Sequence, residues 1–280
     1  MTSSIADRRA EFGGSVITYR EAGAGLPDRP ALVLLHGVGS AAASFDDQLA
    51  GLPDALPGGL RVVAWDAPGY GGSTCLAKDW PVAADYAAAL EGFLESLGIR
   101  SCHLLGHSLG SLMAASFAAD RPGRILSLTL ASIAGGHARL PAAERDKMLA
   151  QRVGDVAELG PRQMAEKRGP RLLGPEATPV MIRRVVDTMA AIRPDGYTQA
   201  ARMLAAGDVK ADIARLPAGM PVQFIYGDAD VITPPARNAE VAAVRPQAPV
   251  HVIAGAGHAV YLEKPAPFNE ALSRFVASVK

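Results

Sequence analysis

The stretch LLGHSLGSLMAA, Leu104 to Ala115, sets one serine between two glycines where an apolar run gives way to a small-residue helical pattern. A serine hydroxyl is a poor nucleophile near neutral pH. It becomes reactive only with a base in hydrogen-bond reach and a third group to orient that base. Gly106 and Gly110 carry no Cβ, so the chain can turn tightly and the following helix can approach its neighbouring strand. That geometry would hold Ser108 strained but exposed, with the free N–H groups of the new helix aimed at whatever the serine attacks. Gly-x-Ser-x-Gly is also the pattern of an ordinary strand-to-helix turn, so the reading depends on partners.

One set of partners stands in the right positions. His258 lies in AGAGHAVYLEKP, directly after the last strand-like run, and Asp230 lies in YGDADVITPP, directly after the run before it. Asp228 follows Gly227 and reads as a side chain that fixes the turn. Asp230 stands further into the loop, where a carboxylate can reach across, and is favoured as the orienting acid. The other histidines are less well placed: His103 starts a strand at the far end of the sheet, His251 lies within a strand, and His107 flanks the serine but points away. His137 falls in a long helical stretch, and all four are expected to be structural or solvent-facing. Acyl transfer develops a negative oxygen that needs donors in place beforehand. The backbone N–H groups of Leu109 and of Val38, in LLHGVGS after an earlier strand, are suited to that, with His36 and Gly37 shaping the loop. Glu263 and Lys264 read as an exposed helix start ahead of Pro265.

These residues need a frame. The runs SVITYR, ALVLLHG, RVVAWD, CHLLG, ILSLTLAS, VQFIYGD and VHVIAG alternate with helical patterns, which predicts parallel strands joined by crossover helices. Tyr86, Leu90, Phe93, Leu94 and Leu97 fall at helical spacing, as do Phe268, Leu272, Phe275, Val276 and Val279. In an open parallel sheet the useful crevice lies beyond the carboxyl ends of the strands. Ser108, Asp230 and His258 would therefore meet at one edge. From about Ile133 to Asp208 no strand is evident, only Arg-rich helical patterns punctuated by prolines such as Pro141, Pro161 and Pro179. This predicts a helical cap over residues 135–208 inserted into an α/β core formed by 1–134 and 209–280.

Composition narrows the function classes. The chain has 280 residues, 49% of them hydrophobic, enough for a full core. Its 28 basic residues balance 28 acidic ones and form no stripe along the chain, which argues against an electrostatic grip on nucleic acid or anionic lipid. A small organic ligand fits better. MTSSIADRRAEF lacks the apolar core of a signal peptide and no later run is long enough to span a bilayer, so the expectation is a soluble cytoplasmic protein. Cys75 and Cys102 form no metal-type pair and are expected to be free thiols, Cys102 as a strand residue.

Taken together, these motifs resemble the α/β-hydrolase fold enzymes over nearly the whole chain. HG before Val38, DAPGYGGS from Asp66 to Ser73, GHSLG around Ser108, GDAD with Asp230 and GAGH with His258 follow that family's order of nucleophile, acid and histidine. The resemblance implies a mostly parallel, doubly wound sheet with a helical cap that selects substrate. It also implies a catalytic triad of Ser108, Asp230 and His258, an oxyanion hole from Val38 and Leu109, a structural role for the Asp66 turn, and no metal or organic cofactor. Haloalkane dehalogenases and epoxide hydrolases carry an aspartate where this chain has Ser108, which leaves acyl chemistry on a carboxylic ester or lactone. Hydrolases that cleave carbon–carbon bonds in vinylogous diketones share the triad and a similar cap. They often have Asn before the serine and Trp after the histidine, where this chain has His107 and Ala259. A hydrolase-like small-molecule receptor and a cofactor-free acyltransferase stay open, as does self-association into a homo-oligomer.

Overall fold

The computed structural model describes residues 4–23, 31–56 and 58–279. The strands are β1 (Ala6–Phe12), β2 (Ser15–Ala22), β3 (Ala31–Leu35), β4 (Arg61–Trp65), β5 (Cys102–His107), β6 (Ile125–Ala131), β7 (Val222–Gly227) and β8 (Val250–Ile253). They form one sheet in the order β1-β2-β4-β3-β5-β6-β7-β8. From β4 through β8 every neighbouring pair is parallel, while β1 and β2 enter antiparallel at one edge. Strand β3 reads as an unbroken apolar run, and every residue of β3 and β5 is buried because both faces of the central sheet are covered. Strand β1 escapes that reading, since only Ala10 of its ADRRAEF is buried.

The helices are α1 (Asp46–Gly51), α2 (Ala83–Ser96), α3 (Leu109–Asp120), α4 (Ala142–Arg168), α5 (Pro179–Ala190), α6 (Pro194–Ala206), α7 (Val209–Arg215), α8 (Pro235–Ala242), α9 (Val260–Glu263) and α10 (Pro265–Ser278). Alternate residues of a strand face opposite sides of the sheet, so Leu104 and Leu105 enter two different cores. On one side Leu104, Leu128 and Phe224 meet Tyr86, Leu90 and Phe93 of α2 and Phe117 of α3. On the other, Leu105 and Ile225 meet Phe268, Leu272 and Val276 of α10. Among the described residues no helix is long and apolar enough to cross a membrane, and both cysteines are free.

Between β6 and β7 the chain runs through α4, α5 and α6 before returning by α7, which packs on α3. Helix α4 is broken at Gly160, ahead of Pro161, whose ring cannot continue a helix ladder. The excursion begins and ends at a narrow neck. Val209 N donates to Gly135 O at 3.0 Å, and Ala138 N donates to Gly207 O at 3.0 Å. Met164, Tyr197 and Met203 from this stretch join the first core, so the added helices share the hydrophobic interior of the sheet layer.

Candidate active site

Ser108 sits in the turn from β5 to α3 with φ +52° and ψ −116°, a conformation that strains any residue with a Cβ. The two flanking glycines make the turn feasible. A Cβ on Gly106 would lie 2.3 Å from the carbonyl oxygen of Gly110, and one on Gly110 would lie 2.2 Å from that of Leu35. The strained residue is held by its own backbone: Ser108 N donates to Ala131 O at 2.9 Å, and Ser108 O accepts from Ser111 N at 2.9 Å.

Loops after β7 and β8 bring the expected partners to this turn. His258 Nε2 lies 2.9 Å from Ser108 Oγ, and His258 Nδ1 lies 2.8 Å from Asp230 Oδ2. An ionised carboxylate only accepts, so Nδ1 carries the proton and Nε2 is free to accept from the serine hydroxyl. Asp230 is fully satisfied. Its Oδ1 accepts from Ile232 N at 2.8 Å and Thr233 N at 2.9 Å, and its Oδ2 also accepts from Thr233 Oγ1 at 2.7 Å. Burial pushes the Asp230 carboxyl up, but the hydrogen bonds and charge of His258, with the Thr233 donors, outweigh it and hold the group below the usual carboxylate range. Asn238, fully buried, anchors the acid loop: its Nδ2 donates to Thr233 O at 2.6 Å and its Oδ1 accepts from Ile133 N at 2.8 Å. Asp228 fixes the turn, accepting from Gly255 N at 2.7 Å.

Val38 and Leu109 border the same cavity as Ser108 and His258, a space of about 760 Å³. Leu109 opens α3, and the N–H groups of a helix's first turn have no acceptor within the helix. The Val38 loop is braced from behind by the Tyr70 hydroxyl, which donates to Val38 O at 2.7 Å. His36 Nδ1 donates to Gly37 O at 2.8 Å while its Nε2 accepts from Ala67 N at 3.0 Å, and burial pushes its pKa down. The Asp66 turn is structural here: Asp66 accepts from Ala42 N at 2.8 Å and from the Thr18 hydroxyl at 2.8 Å.

Two residues behave differently from their sequence reading. His107, expected to point away, packs its ring 5.0 Å from that of His258 and donates from Nε2 to the His258 carbonyl at 2.9 Å. Burial and the neighbouring His258 charge push His107 down to about 3, so it stays neutral. Glu263, expected at an exposed helix start, is buried at 6% exposure. Its Oε1 accepts from Gly257 N at 2.9 Å and its Oε2 from Gly174 N at 2.6 Å, so one carboxylate ties the residue before His258 to the connection between α4 and α5. Burial raises its pKa against the pull of those two donors. Only Lys264 matches the surface reading, paired with Glu176. His103 is a strand residue bonded to Ser127 Oγ at 2.8 Å, with burial lowering it to about 4. His137 borders the cavity.

The family described as alpha/beta hydrolase fold matches residues 30–265. A putative carbamate hydrolase, RutD, of Variovorax paradoxus is 30% identical over 91% of this chain and 94% of its own. The enol-lactonase from Burkholderia xenovorans LB400 superposes with a TM-score of 0.84 at 22% identity, covering 97% of this chain and 100% of its own. A thermophilic esterase from Thermogutta terrifontis gives 0.83 at 23% identity, covering 98% and 99%. At those identities the two solved structures speak for the fold alone.

Proposed function

The chain belongs to the alpha/beta hydrolase fold family, and from that premise we propose that it is a serine hydrolase cleaving a small carboxylic ester or lactone. One observation carries the reading: an unbroken hydrogen-bonded run from Ser108 Oγ through His258 to Asp230, at 2.9 and 2.8 Å, opening on a cavity. In the proposed reaction Ser108 Oγ attacks the carbonyl carbon while its proton passes to His258 Nε2. The oxyanion is stabilised by the N–H groups of Val38 and Leu109, whose positions are preset by the Tyr70 bond and by the start of α3. The imidazolium then protonates the departing alkoxide, leaving an acyl-enzyme. Water, deprotonated by His258, attacks that ester, and the acid leaves as the serine recovers its proton.

Asp230 holds the imidazole in the productive tautomer and stabilises its positive charge. Residues 1–134 and 209–280 serve as the catalytic core in this reading, and residues 135–208 act as a cap that selects the substrate. Ser108→Ala removes one oxygen and keeps the turn. It is expected to fold normally and to lower kcat on a simple ester by about four to six orders of magnitude. Full activity in that variant rules out the mechanism.

A further inference from the structure

The cavity that borders Ser108 is lined by charge of one predominant sign. Eight Arg and Lys side chains line it against three Asp and Glu. All three acids are already neutralised, Asp155 by Arg168, Asp208 by Arg139 and Glu240 by Lys210. Arg184 is paired with Asp47. Among the described residues, Arg152, Lys167, Arg171 and Arg237 border the space without an acidic partner, and of these Arg152 alone is partly withdrawn from solvent.

Arg152 lies on α4 and donates to the buried Tyr197 hydroxyl at 3.3 Å. Its charge also acts on Tyr70, the residue that holds the Val38 carbonyl, opposing the burial that raises that phenol. Arg152 and Val38, which carries one of the proposed oxyanion donors, line the same cavity. His137 borders the same cavity, its imidazole pushed down first by burial and then by the positive charges of Arg152 and Arg237. A neutral imidazole there can donate a hydrogen bond to a ligand without adding to the local charge.

The surplus is local. Residues 135–208 hold twelve Arg and Lys against nine Asp and Glu, although the whole chain is balanced at 28 of each. A guanidinium drawn out of water without a counter-ion is unfavourable. An anion that reaches it within a walled cavity gains a charge-assisted, bidentate contact strengthened by the low local dielectric.

We propose that the substrate carries a carboxylate remote from the bond that Ser108 attacks, and that Arg152 receives it, with His137 and Arg237 beside it. The proposal rests on the serine-hydrolase reading for the reacting end and adds the charge of the other end. Arg152 is a specificity residue in this scheme, and the chemistry at Ser108 does not pass through it.

The test compares two esters of equal chain length, para-nitrophenyl hemiglutarate and para-nitrophenyl valerate, at low salt. The wild-type protein is expected to favour the anionic ester in kcat/KM by about tenfold or more, the scale of a hydrogen-bonded charge pair. Arg152→Met, which keeps the aliphatic stem, should bring that ratio close to one, chiefly through the KM of the hemi-ester, and Arg152→Lys should restore part of it. A wild-type ratio near one, or a ratio that Arg152→Met leaves unchanged, overturns the proposal. Calorimetric binding of glutarate to Ser108→Ala, with and without Arg152→Met, separates the two layers. Arg152-dependent binding without turnover of either ester would retire the hydrolase reading and keep the charge recognition. Ser108-dependent turnover without charge preference would do the opposite.

Discussion

Asp228 and Asp230 stand two residues apart in one loop and have separate tasks, the first holding Gly255 N and the second holding His258 Nδ1. Asp230→Asn keeps the size but offers an amide, which can present its NH₂ to the ring and favour the wrong tautomer. It should lower kcat by about ten-thousand-fold. Asp228→Asn retains an acceptor for Gly255 and should lose less than tenfold in the same steady-state assay, on the scale of one ordinary hydrogen bond. The opposite ranking would hand the acid's role to Asp228. Ser108, Asp230 and His258 were legible in the sequence because each lies just past a strand-like run among turn-forming neighbours. Asn238 and Glu263 were not, since each joins a near partner to one remote along the chain: Ile133 is 105 residues from Asn238, and Gly174 is 89 residues from Glu263. Thr233 gave a fainter signal, a hydroxyl three residues after Asp230 in a turn-forming loop.

At the scale of elements, the strands that carry the site announced themselves through short runs rich in apolar residues and ended by glycine turns, and β1 stayed hidden because an exposed edge strand needs no such run. The helices between β6 and β7 were legible as helices from their spacing and prolines. How they attach to the loop bearing His258 was not, because three contacts between distant segments decide it: Ala259 N to Leu172 O at 2.9 Å, Glu263 to Gly174 N, and Lys264 to Glu176. Glu263 is the buried carboxylate of that set. Glu263→Ala leaves the N–H groups of Gly174 and Gly257 without their acceptor, and is expected to lower stability by about 1–3 kcal/mol in urea unfolding. Its kcat should fall more than its KM changes, because the loop that loosens is the one that holds the base. A stability equal to wild type would mean that the carboxylate is a bystander.

Across the whole molecule, the residues proposed to react come from both sides of a long helical excursion, yet that excursion departs and returns through one neck, where Val209 N meets Gly135 O at 3.0 Å. Replacing residues 136–208 by the matching stretch of a relative should preserve Ser108-dependent turnover while importing the donor's charge preference, read as the anionic-to-neutral ester ratio. Loss of turnover in a well-folded chimaera would show that the helices do more than choose the substrate. Because both ends of the stretch meet at a single doorway, exchanging it as one cassette is expected to leave the strand register beneath untouched, provided the donor keeps the contacts to Ala259 and Glu263. On the proposed division of labour, such a plan would let a chain change what it eats while keeping how it bites.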